Sequence, residues 1–321
     1  MTHTFAMTTR LRCLLIFATL AFALGAQGDR VFAREADDTP QLERLPAGQS
    51  TFEFKDWAGP ALKVWSYVPE GVDPATAPIL IVMHGMNRDA DRYLEQWRGI
   101  AQAKGFVAVA PEFSRSQFRG SHEYNLGHVT RRGRTDLRDR SQWSFAAIEP
   151  LFDEIVSRIG GRQTTYTLYG HSAGSQFVHR FFMTQRNTRA SRYIIANAGW
   201  YTLPTFALAY PHGMNGLDLQ TDDLKAALAS DVVVLLGEED ADPGHESLNR
   251  SDEAMRQGEH RLARGKFFFD FGREMARREN WPFNWTLRTV PGVEHDNGGM
   301  AQAAGELVDP GHVATGSQDQ R

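Results

Sequence analysis

Cysteine is nearly absent from this sequence: Cys13 is the only cysteine in 321 residues, and it lies in an N-terminal apolar run. If that run is removed, the mature chain contains no cysteine. Such a chain has no disulfides, no zinc–thiolate site and no cysteine nucleophile. We therefore expect packing alone to stabilise the fold.

A strong charge bias is also missing. The 35 Lys and Arg residues stand against 39 Asp and Glu residues, so the formal net charge is -4. A chain so close to charge balance has no broad basic surface for a phosphate backbone, and we expect no nucleic-acid partner. The composition, with 41% hydrophobic residues, is that of a globular enzyme or binding domain.

The N-terminal apolar run, at 13–25, is too short to anchor the chain. It spans 13 residues, fewer than the roughly 20 that a membrane-spanning helix needs, so we expect no stable membrane anchor. Arg10 and Arg12 precede it, and small and polar residues follow it, which is the layout of a secretory signal peptide. We predict a signal peptide over 1–26, with cleavage after residue 33 as the alternative, and a secreted or periplasmic protein.

One domain is predicted over residues 51–307, between a polar leader at 27–50 and a flexible polar tail at 308–321. Two early segments alternate polar with apolar residues, which is typical of half-exposed antiparallel strands. Five later segments are short apolar runs, which are typical of parallel strands buried on both faces. In chain order the segments are 51–55 and 62–68, then 78–84, 106–110, 165–169, 193–197 and 232–236.

Segments with helical spacing separate the later strands. One is the apolar stripe from Phe145 to Ile159, in which Pro150 predicts a later helix start or a kink. Strands and helices that alternate in this way form a doubly wound sheet. We predict an α/β fold with a mostly parallel sheet, helices on both faces, and antiparallel strands at the N-terminal edge.

The loop after the segment 165–169 carries the clearest chemical motif, G-H-S-A-G at 170–174. In open α/β sheets, ligands bind at the carboxyl ends of the strands. An apolar helix pattern follows the motif, so the setting is the strand–turn–helix of a G-x-S-x-G nucleophile elbow. Glycines are needed because a Cβ at either position would clash in so tight a turn. We predict that Ser172 is a nucleophile.

A serine nucleophile needs a general base, and the base needs an acid that orients it. His295 follows a strand-like segment at 284–290 and is the predicted base. The loop after 232–236 supplies the acid, for which we favour Asp240. Asp242, Glu238 and Glu239 are the alternatives in the same loop.

The segment 78–84 ends in H-G-M-N at 84–87. We predict that the backbone amides of Met86 and Ala173 stabilise an oxyanion, and we interpret His84 as structural. After the strand at 193–197, Trp200 and Tyr201 are predicted to bind substrate; packing of the domain is the alternative.

Motifs for metals and cofactors are missing. His122, Glu123 and His128 lack the H-E-x-x-H spacing, and Asp240 with Asp242 lacks the rest of a calcium loop. The chain has neither the dinucleotide-binding G-x-G-x-x-G nor a P-loop. We expect no metal and no cofactor.

A loop insertion is predicted over 112–141, because this stretch has no clear period and is too long for an ordinary connection. It is rich in arginine, which indicates either an anionic substrate or a solvated loop with local ion pairs. The arginines are Arg115, Arg119, Arg131, Arg132, Arg134, Arg138 and Arg140.

Together the motifs resemble the α/β-hydrolase superfamily, through H-G-M-N at 84–87, G-H-S-A-G at 170–174, G-E-E-D at 237–240 and V-P-G-V-E-H at 290–295. Within it, V-A-P-E at 109–112, Q-F-V-H-R at 176–180 and N-A-G-W-Y at 197–201 resemble secreted esterases and poly(3-hydroxybutyrate) depolymerases. Such depolymerases commonly have disulfides and a polymer-binding module, which this chain lacks, so a soluble ester is the expected substrate.

The resemblance implies a secreted serine hydrolase that cleaves small carboxylic esters through an acyl-enzyme, using Ser172, His295 and Asp240. Two alternatives remain at this point. One is a serine peptidase of the same fold, and the other is a non-catalytic binding protein on a hydrolase scaffold.

Overall fold

The computed structural model of the protein describes residues 42–311. The predicted signal peptide, the leader up to residue 41 and the tail from residue 312 lie outside the described residues. Within 42–311, every helix is too short or too polar to span a bilayer.

Eight strands form one sheet, each close to a segment predicted from the sequence. They are β1 (Gly48–Phe54), β2 (Leu62–Val68), β3 (Ile79–Met83), β4 (Val107–Glu112), β5 (Tyr166–His171), β6 (Ala190–Ala196), β7 (Val232–Gly237) and β8 (Trp285–Val290). Their spatial order is β1-β2-β4-β3-β5-β6-β7-β8. β2 is antiparallel to both neighbours, and all other neighbouring pairs are parallel. The predicted sheet is confirmed.

Helices cover both faces of the sheet, as predicted. They are α1 (Ala90–Lys104), α2 (Ile148–Ile159), α3 (Ala173–Thr184), α4 (Thr221–Ala229), α5 (Asp252–Met255), α6 (Arg261–Glu279) and α7 (Asn297–Gly305). The apolar sides of α1 and α7 form one core layer, and those of α2, α3, α4 and α6 form another. Every residue of β3, β5 and β7 is buried between these layers, which explains their continuous apolar sequences.

Some boundaries differ from the prediction. β1 begins at Gly48, three residues before the predicted domain start. α2 begins at Ile148 instead of Phe145, after a short 3-10 helix at Ser144–Ala147. Pro150 thus lies in the first turn of α2, where a backbone N–H would have no intrahelical acceptor. The proline therefore sets a later start and not a kink.

The segment between β4 and the 3-10 helix at Arg140–Gln142 has no regular helix or strand. It is nevertheless attached to the domain, because Phe118, Tyr124 and Val129 are buried. The guanidinium of Arg88 also donates to the carbonyl oxygens of two loop residues. This segment therefore packs on the domain instead of extending into solvent.

The turn between β5 and α3 has no room for a side chain at either of its glycines. A Cβ on Gly170 would lie less than 3.0 Å from the carbonyl carbon of Gly174. A Cβ on Gly174 would lie less than 3.0 Å from the carbonyl oxygen of Met83 in β3. Because both obstacles are backbone atoms, β3, β5 and α3 must shift to accept a larger residue.

We expect Gly174→Ala to lower the free energy of unfolding by about 1–3 kcal/mol, the usual cost of overpacking. The matched control is Gly99→Ala in α1, where an added Cβ meets no atom within 4 Å. This control should raise stability by roughly 0.5–1 kcal/mol, the helix preference of Ala over Gly. Urea unfolding followed by fluorescence measures both, and equal stabilities of the two variants would contradict the packing described.

Candidate active site

Ser172 lies at the sharp turn between β5 and α3. Its backbone has φ 56° and ψ -116°, a conformation that residues other than glycine rarely adopt. The Ser172 N–H donates to the carbonyl oxygen of Ala196 at 3.0 Å, which ties the turn to the end of β6. The serine is therefore held, partly exposed, at the carboxyl edge of the sheet.

The structure brings Ser172, His295 and Asp240 into one hydrogen-bonded chain. His295 Nε2 lies 3.0 Å from Ser172 Oγ, and His295 Nδ1 lies 2.7 Å from Asp240 Oδ2. Because a carboxylate only accepts, Nδ1 carries the imidazole proton and Nε2 is free to accept from the serine hydroxyl. The three residues follow β5, β8 and β7, whose carboxyl ends lie at one edge of the sheet.

Of the four acidic residues after β7, Asp240 alone contacts His295. Asp240 is 4% exposed, whereas Glu238, Glu239 and Asp242 are exposed. Asp242 accepts from a backbone N–H within its own turn, and Glu238 accepts from the Thr289 hydroxyl. The backbone turn that starts at Gly237 aims only Asp240 inward.

Arg261, at the start of α6, was not predicted from the sequence. Its guanidinium donates to Asp240 Oδ1 at 3.2 Å, and both side chains are buried. A second donation, at 2.8 Å, goes to Ser247 Oγ. Asp240 thus accepts hydrogen bonds from His295 at Oδ2 and from Arg261 at Oδ1, and the two bonds together fix the orientation of the carboxylate. A single arginine at a helix start carries no sequence signal for this role.

Burial lowers the pKa of His295 below its ordinary value of 6.5, and this is the largest influence on it. The hydrogen bond and charge of Asp240 act in the opposite direction, while Arg261 and His245 lower the pKa further. The imidazole is therefore neutral at neutral pH. A neutral imidazole is the form that is able to accept a proton from a serine hydroxyl.

Met86 and Ala173 both lie beside Ser172. Ala173 is the first residue of α3, so its N–H has no intrahelical acceptor and is available to a ligand. Met86 lies in the loop after β3, and its carbonyl oxygen accepts from Arg115 at 3.0 Å. The two predicted oxyanion donors therefore border the same cavity as the serine.

His84 is structural in this fold. It is fully buried, and its Nε2 accepts from the N–H of Phe113 at 3.0 Å. Its Nδ1 consequently donates to the carbonyl oxygen of Gly85, and desolvation lowers its pKa to about 3. These bonds connect the loop after β3 to the start of the arginine-rich loop.

Two cavities open beside Ser172. One, the His295 cleft, has a volume of about 290 Å³ and is lined by residues that include Gly85, Tyr93, His171 and His295. The other, the Trp200 cavity, has a volume of about 230 Å³ and is lined by residues that include Asn125, Ala173, Gln176, Gly199 and Trp200. Met86, Ser172, Glu246 and Ser247 border both.

Trp200 thus lies where a substrate-binding residue is expected, but Tyr201 does not. Tyr201 is fully buried, and its ring stacks on Phe268 of α6 with 4.5 Å between centroids. The side chain of Gln257 bonds both the N–H and the carbonyl of Tyr201. The alternative interpretation, packing of the domain, therefore describes Tyr201, because α6 offers its ring an aromatic partner inside the core.

The lining of the two cavities includes none of the seven arginines of the arginine-rich loop. Arg134 pairs with Asp136 at 2.6 Å, and Arg140 donates to two backbone carbonyls elsewhere in the domain. Arg131 and Arg132 are exposed. For the arginines, these contacts favour the second interpretation, local pairs and solvent exposure, over contact with an anionic substrate, although the loop itself packs on the domain.

One group of side chains within 42–311 has the spacing of a metal-ligand set. His122, Glu123 and His128 offer ligand atoms within 4.8 Å of one another. Glu123 already accepts from the N–H of Arg119. Burial lowers the pKa of both histidines, and the charge of Arg138 lowers it further. None of the three lines a cavity at Ser172, so the group has no place in chemistry at the serine.

Comparison with known proteins gives two close similarities. No protein-family model and no curated protein matches the chain. Among solved structures, poly(aspartic acid) hydrolase-1 from Sphingomonas sp. KT-1 is 44% identical, with a TM-score of 0.80, over 82% of this chain and 99% of that one. LpqC, a poly(3-hydroxybutyrate) depolymerase from Bordetella parapertussis, is 33% identical, with a TM-score of 0.77, over 82% of this chain and 90% of that one.

A more distant similarity concerns the fold alone. An S-formylglutathione hydrolase from Agrobacterium tumefaciens has a TM-score of 0.53 at 14% identity. The match covers 81% of this chain and 92% of that one.

The hydrogen bond between Asp240 and His295 predicts how substitution of Asp240 changes the pKa of His295. We expect an imidazole pKa below 6.5 in the wild type and a still lower pKa in Asp240→Asn, because a neighbouring carboxylate stabilises the imidazolium. Asp242→Asn is the matched control and should leave the pKa unchanged. NMR titration of the ring protons measures all three. A pKa that rises in Asp240→Asn, or shifts equally in both variants, would contradict the assignment.

Proposed function

Because the chain belongs to the α/β-hydrolase superfamily of serine hydrolases, we propose that it cleaves carboxylic esters through a covalent acyl-enzyme. Its branch of the superfamily includes poly(aspartic acid) hydrolase-1 and the LpqC depolymerase. The observation that carries the proposal is the chain from Ser172 to His295 to Asp240, with distances of 3.0 Å and 2.7 Å. This arrangement supplies a nucleophile, a general base and an orienting acid.

In the first half of the reaction, Ser172 Oγ attacks the ester carbonyl carbon while His295 Nε2 takes the hydroxyl proton. The carbonyl π electrons move to oxygen, and the N–H groups of Met86 and Ala173 stabilise the resulting oxyanion. Asp240 stabilises the imidazolium that has formed. When the tetrahedral intermediate collapses, the bond to the leaving oxygen breaks and His295 gives its proton to that oxygen.

In the second half, a water molecule attacks the acyl carbon and gives a proton to His295 Nε2. The bond between that carbon and Ser172 Oγ then breaks, and the proton returns to the serine. The products are a carboxylic acid and an alcohol. Because His295 acts as a base and then as an acid in each half, a lowered pKa keeps it ready to accept at neutral pH.

We assign the leaving alcohol and the acyl group of the substrate to the two cavities beside Ser172. His295 protonates the leaving group, so the leaving alcohol occupies the His295 cleft, which this residue lines. The acyl group remains attached to Ser172 beside the oxyanion donor Ala173. It therefore occupies the Trp200 cavity, where Ala173 and Trp200 form part of the wall.

Hydrolysis of a poly(aspartic acid) amide is the second candidate. It is favoured by the 44% identity to poly(aspartic acid) hydrolase-1 over nearly the whole of that chain. The same serine, histidine and acid serve an amide, with His295 protonating a leaving amine. Export is also proposed, on the signal-peptide layout of residues 1–26.

Ser172→Ala is expected to lower kcat for 4-nitrophenyl butyrate by at least roughly 10³-fold, since the loss of a triad residue leaves only binding and oxyanion stabilisation. Asp240→Asn should lower the same kcat by roughly 10³–10⁴-fold, because the orientation of His295 is lost. Asp242→Asn, the control, should retain the wild-type rate. Circular dichroism confirms that each variant is folded. More than a tenth of the wild-type rate in Ser172→Ala would reject this serine as the nucleophile.

The same assay with three substrates separates the candidates. Turnover of 4-nitrophenyl butyrate alone supports the esterase, and cleavage of poly(aspartic acid) that disappears in Ser172→Ala supports the second candidate. Cleavage of a neutral peptide anilide would indicate a general peptidase instead. A wild-type protein that turns over none of the three would be a binding protein on a hydrolase scaffold.

A further inference from the structure

Arg180 is a buried cation behind the wall of the Trp200 cavity, with no acidic partner among the described residues. It is fully buried on α3. Its guanidinium donates to Thr202 Oγ1, to the carbonyl oxygens of Asn125 and Gln176, and to Gln176 Oε1. It also lies 4.4 Å from the ring centroid of Trp200, and its Nη2 has no hydrogen-bond partner. Three of these neighbours line the cavity.

Arg264 of α6 is a second buried cation of the same kind. It is fully buried and donates to the carbonyl oxygens of Gly258, Gly199 and Asn249, with Met255 Sδ as a further neighbour. Within 42–311 it makes no ion pair. Gly199 and Asn249 line the Trp200 cavity, so this guanidinium also stands directly behind its wall.

Both guanidinium groups remain charged at neutral pH. Burial lowers the pKa of each to about 10, which is still well above 7. A buried charge is costly unless an opposite charge lies close to it. Among residues 42–311, the two cations contact only neutral oxygen atoms, one sulfur atom and the Trp200 ring. A ligand anion in the adjacent cavity would complete the charge balance.

The other charges around the Trp200 cavity do not cancel this excess. Arg261 lines the cavity and pairs with Asp240, whose second oxygen is on His295. Glu246 is exposed at the border of the cavity, where solvent and salt screen it more than they screen a buried charge. The described charges therefore give the cavity a net positive potential.

Gln176 lines the Trp200 cavity and offers it hydrogen-bond donors. Arg180 Nη1 and Asn125 Nδ2 both donate to Gln176 Oε1, at 3.2 Å and 3.1 Å. Because Arg180 has no acceptor atom, the amide cannot be flipped, and Gln176 Nε2 must carry the remaining two N–H donors. A Cβ on Gly199 would lie 3.1 Å from this nitrogen, which places it at the cavity wall.

We propose that the Trp200 cavity binds an acyl group that carries a carboxylate. Gln176 Nε2 donates to that carboxylate, and Arg180 and Arg264 attract it through the wall. The proposal rests on the proposed function, since it assigns the acyl side of an ester or amide. In this assignment the charge that selects the substrate comes from helices α3 and α6, and not from the arginine-rich loop.

The test compares two esters of the same shape, monoethyl succinate and ethyl 4-methylpentanoate, which differ in having a carboxylate or an isopropyl group at the end of the acyl chain. A pH-stat measures acid release. The wild-type protein is expected to favour the succinate in kcat/KM by at least about tenfold, a gap of about 1.4 kcal/mol. A wild-type preference for the neutral ester would overturn the proposal without any variant.

Gln176→Glu keeps the side-chain size but gives Arg180 a carboxylate partner. We expect it to lower the ratio of the two kcat/KM values by about tenfold or more, through KM for the succinate. Arg180→Met should lower the ratio in the same direction, and Arg180→Lys, which keeps the charge, should restore most of it. Because both esters are measured on one preparation, a lower folded fraction cancels from the ratio. An unchanged ratio in Gln176→Glu and Arg180→Met would contradict the proposal.

Arg131→Met in the exposed loop is the matched control and should leave kcat/KM unchanged for both esters. The wild-type ratio should also persist at high salt, because buried charges are screened less than exposed ones. Calorimetry with Ser172→Ala separates this inference from the proposed function. One outcome is that the wild type hydrolyses neither ester while the variant binds succinate in preference to 4-methylpentanoate. This outcome would contradict the proposed esterase activity and would support a carboxylate site in the Trp200 cavity. Equal hydrolysis of both esters would refute the cavity assignment alone.

Discussion

At Gly174 the backbone of α3 approaches the backbone of β3 so closely that any Cβ would lie less than 3.0 Å from the Met83 carbonyl oxygen. This contact places the start of α3 directly against β3, in the same tight turn in which Ser172 has its positive φ. It also sets Ala173, with its free N–H, beside the loop that contains Met86. The position of Ser172 and of the two residues proposed as oxyanion donors thus depends on this one backbone contact.

The second determinant of the site is the distribution of buried charge. Asp240 is shared between His295 and Arg261, so the carboxylate that orients the base is itself held by a cation. Arg180 and Arg264 have no such partner, and both stand behind the cavity assigned to the acyl group. A preorganised positive environment of this kind favours anions without a conformational change. The proposed chemistry therefore depends on residues at the strand ends, and the proposed selectivity depends on Arg180 of α3 and Arg264 of α6.

The sequence predicted the sheet and the strand-end residues because both depend on local pattern. Buried parallel strands need continuous apolar runs, and G-x-S-x-G needs its glycines wherever the elbow forms, so the resemblance to α/β hydrolases is confirmed. The positions of Arg261 and Tyr201 depend on partners that are distant in sequence, Asp240 for Arg261 and Phe268 of α6 for Tyr201. Arg180 has a sequence signal, because it is a single arginine within the otherwise apolar helix pattern Q-F-V-H-R-F-F. The structure shows the whole helix buried, so this cation is not exposed to solvent.

If Ser172 is the nucleophile, it becomes acylated during turnover, and the covalent intermediate can be trapped. The wild-type protein is mixed with 4-nitrophenyl acetate, quenched in acid before the steady state, digested, and mapped by mass spectrometry. We expect one acetyl group on the peptide that contains Ser172, formed at the same rate as a burst of 4-nitrophenol. Ester hydrolysis with no acetylated peptide, or with the acetyl group on another residue, would contradict it.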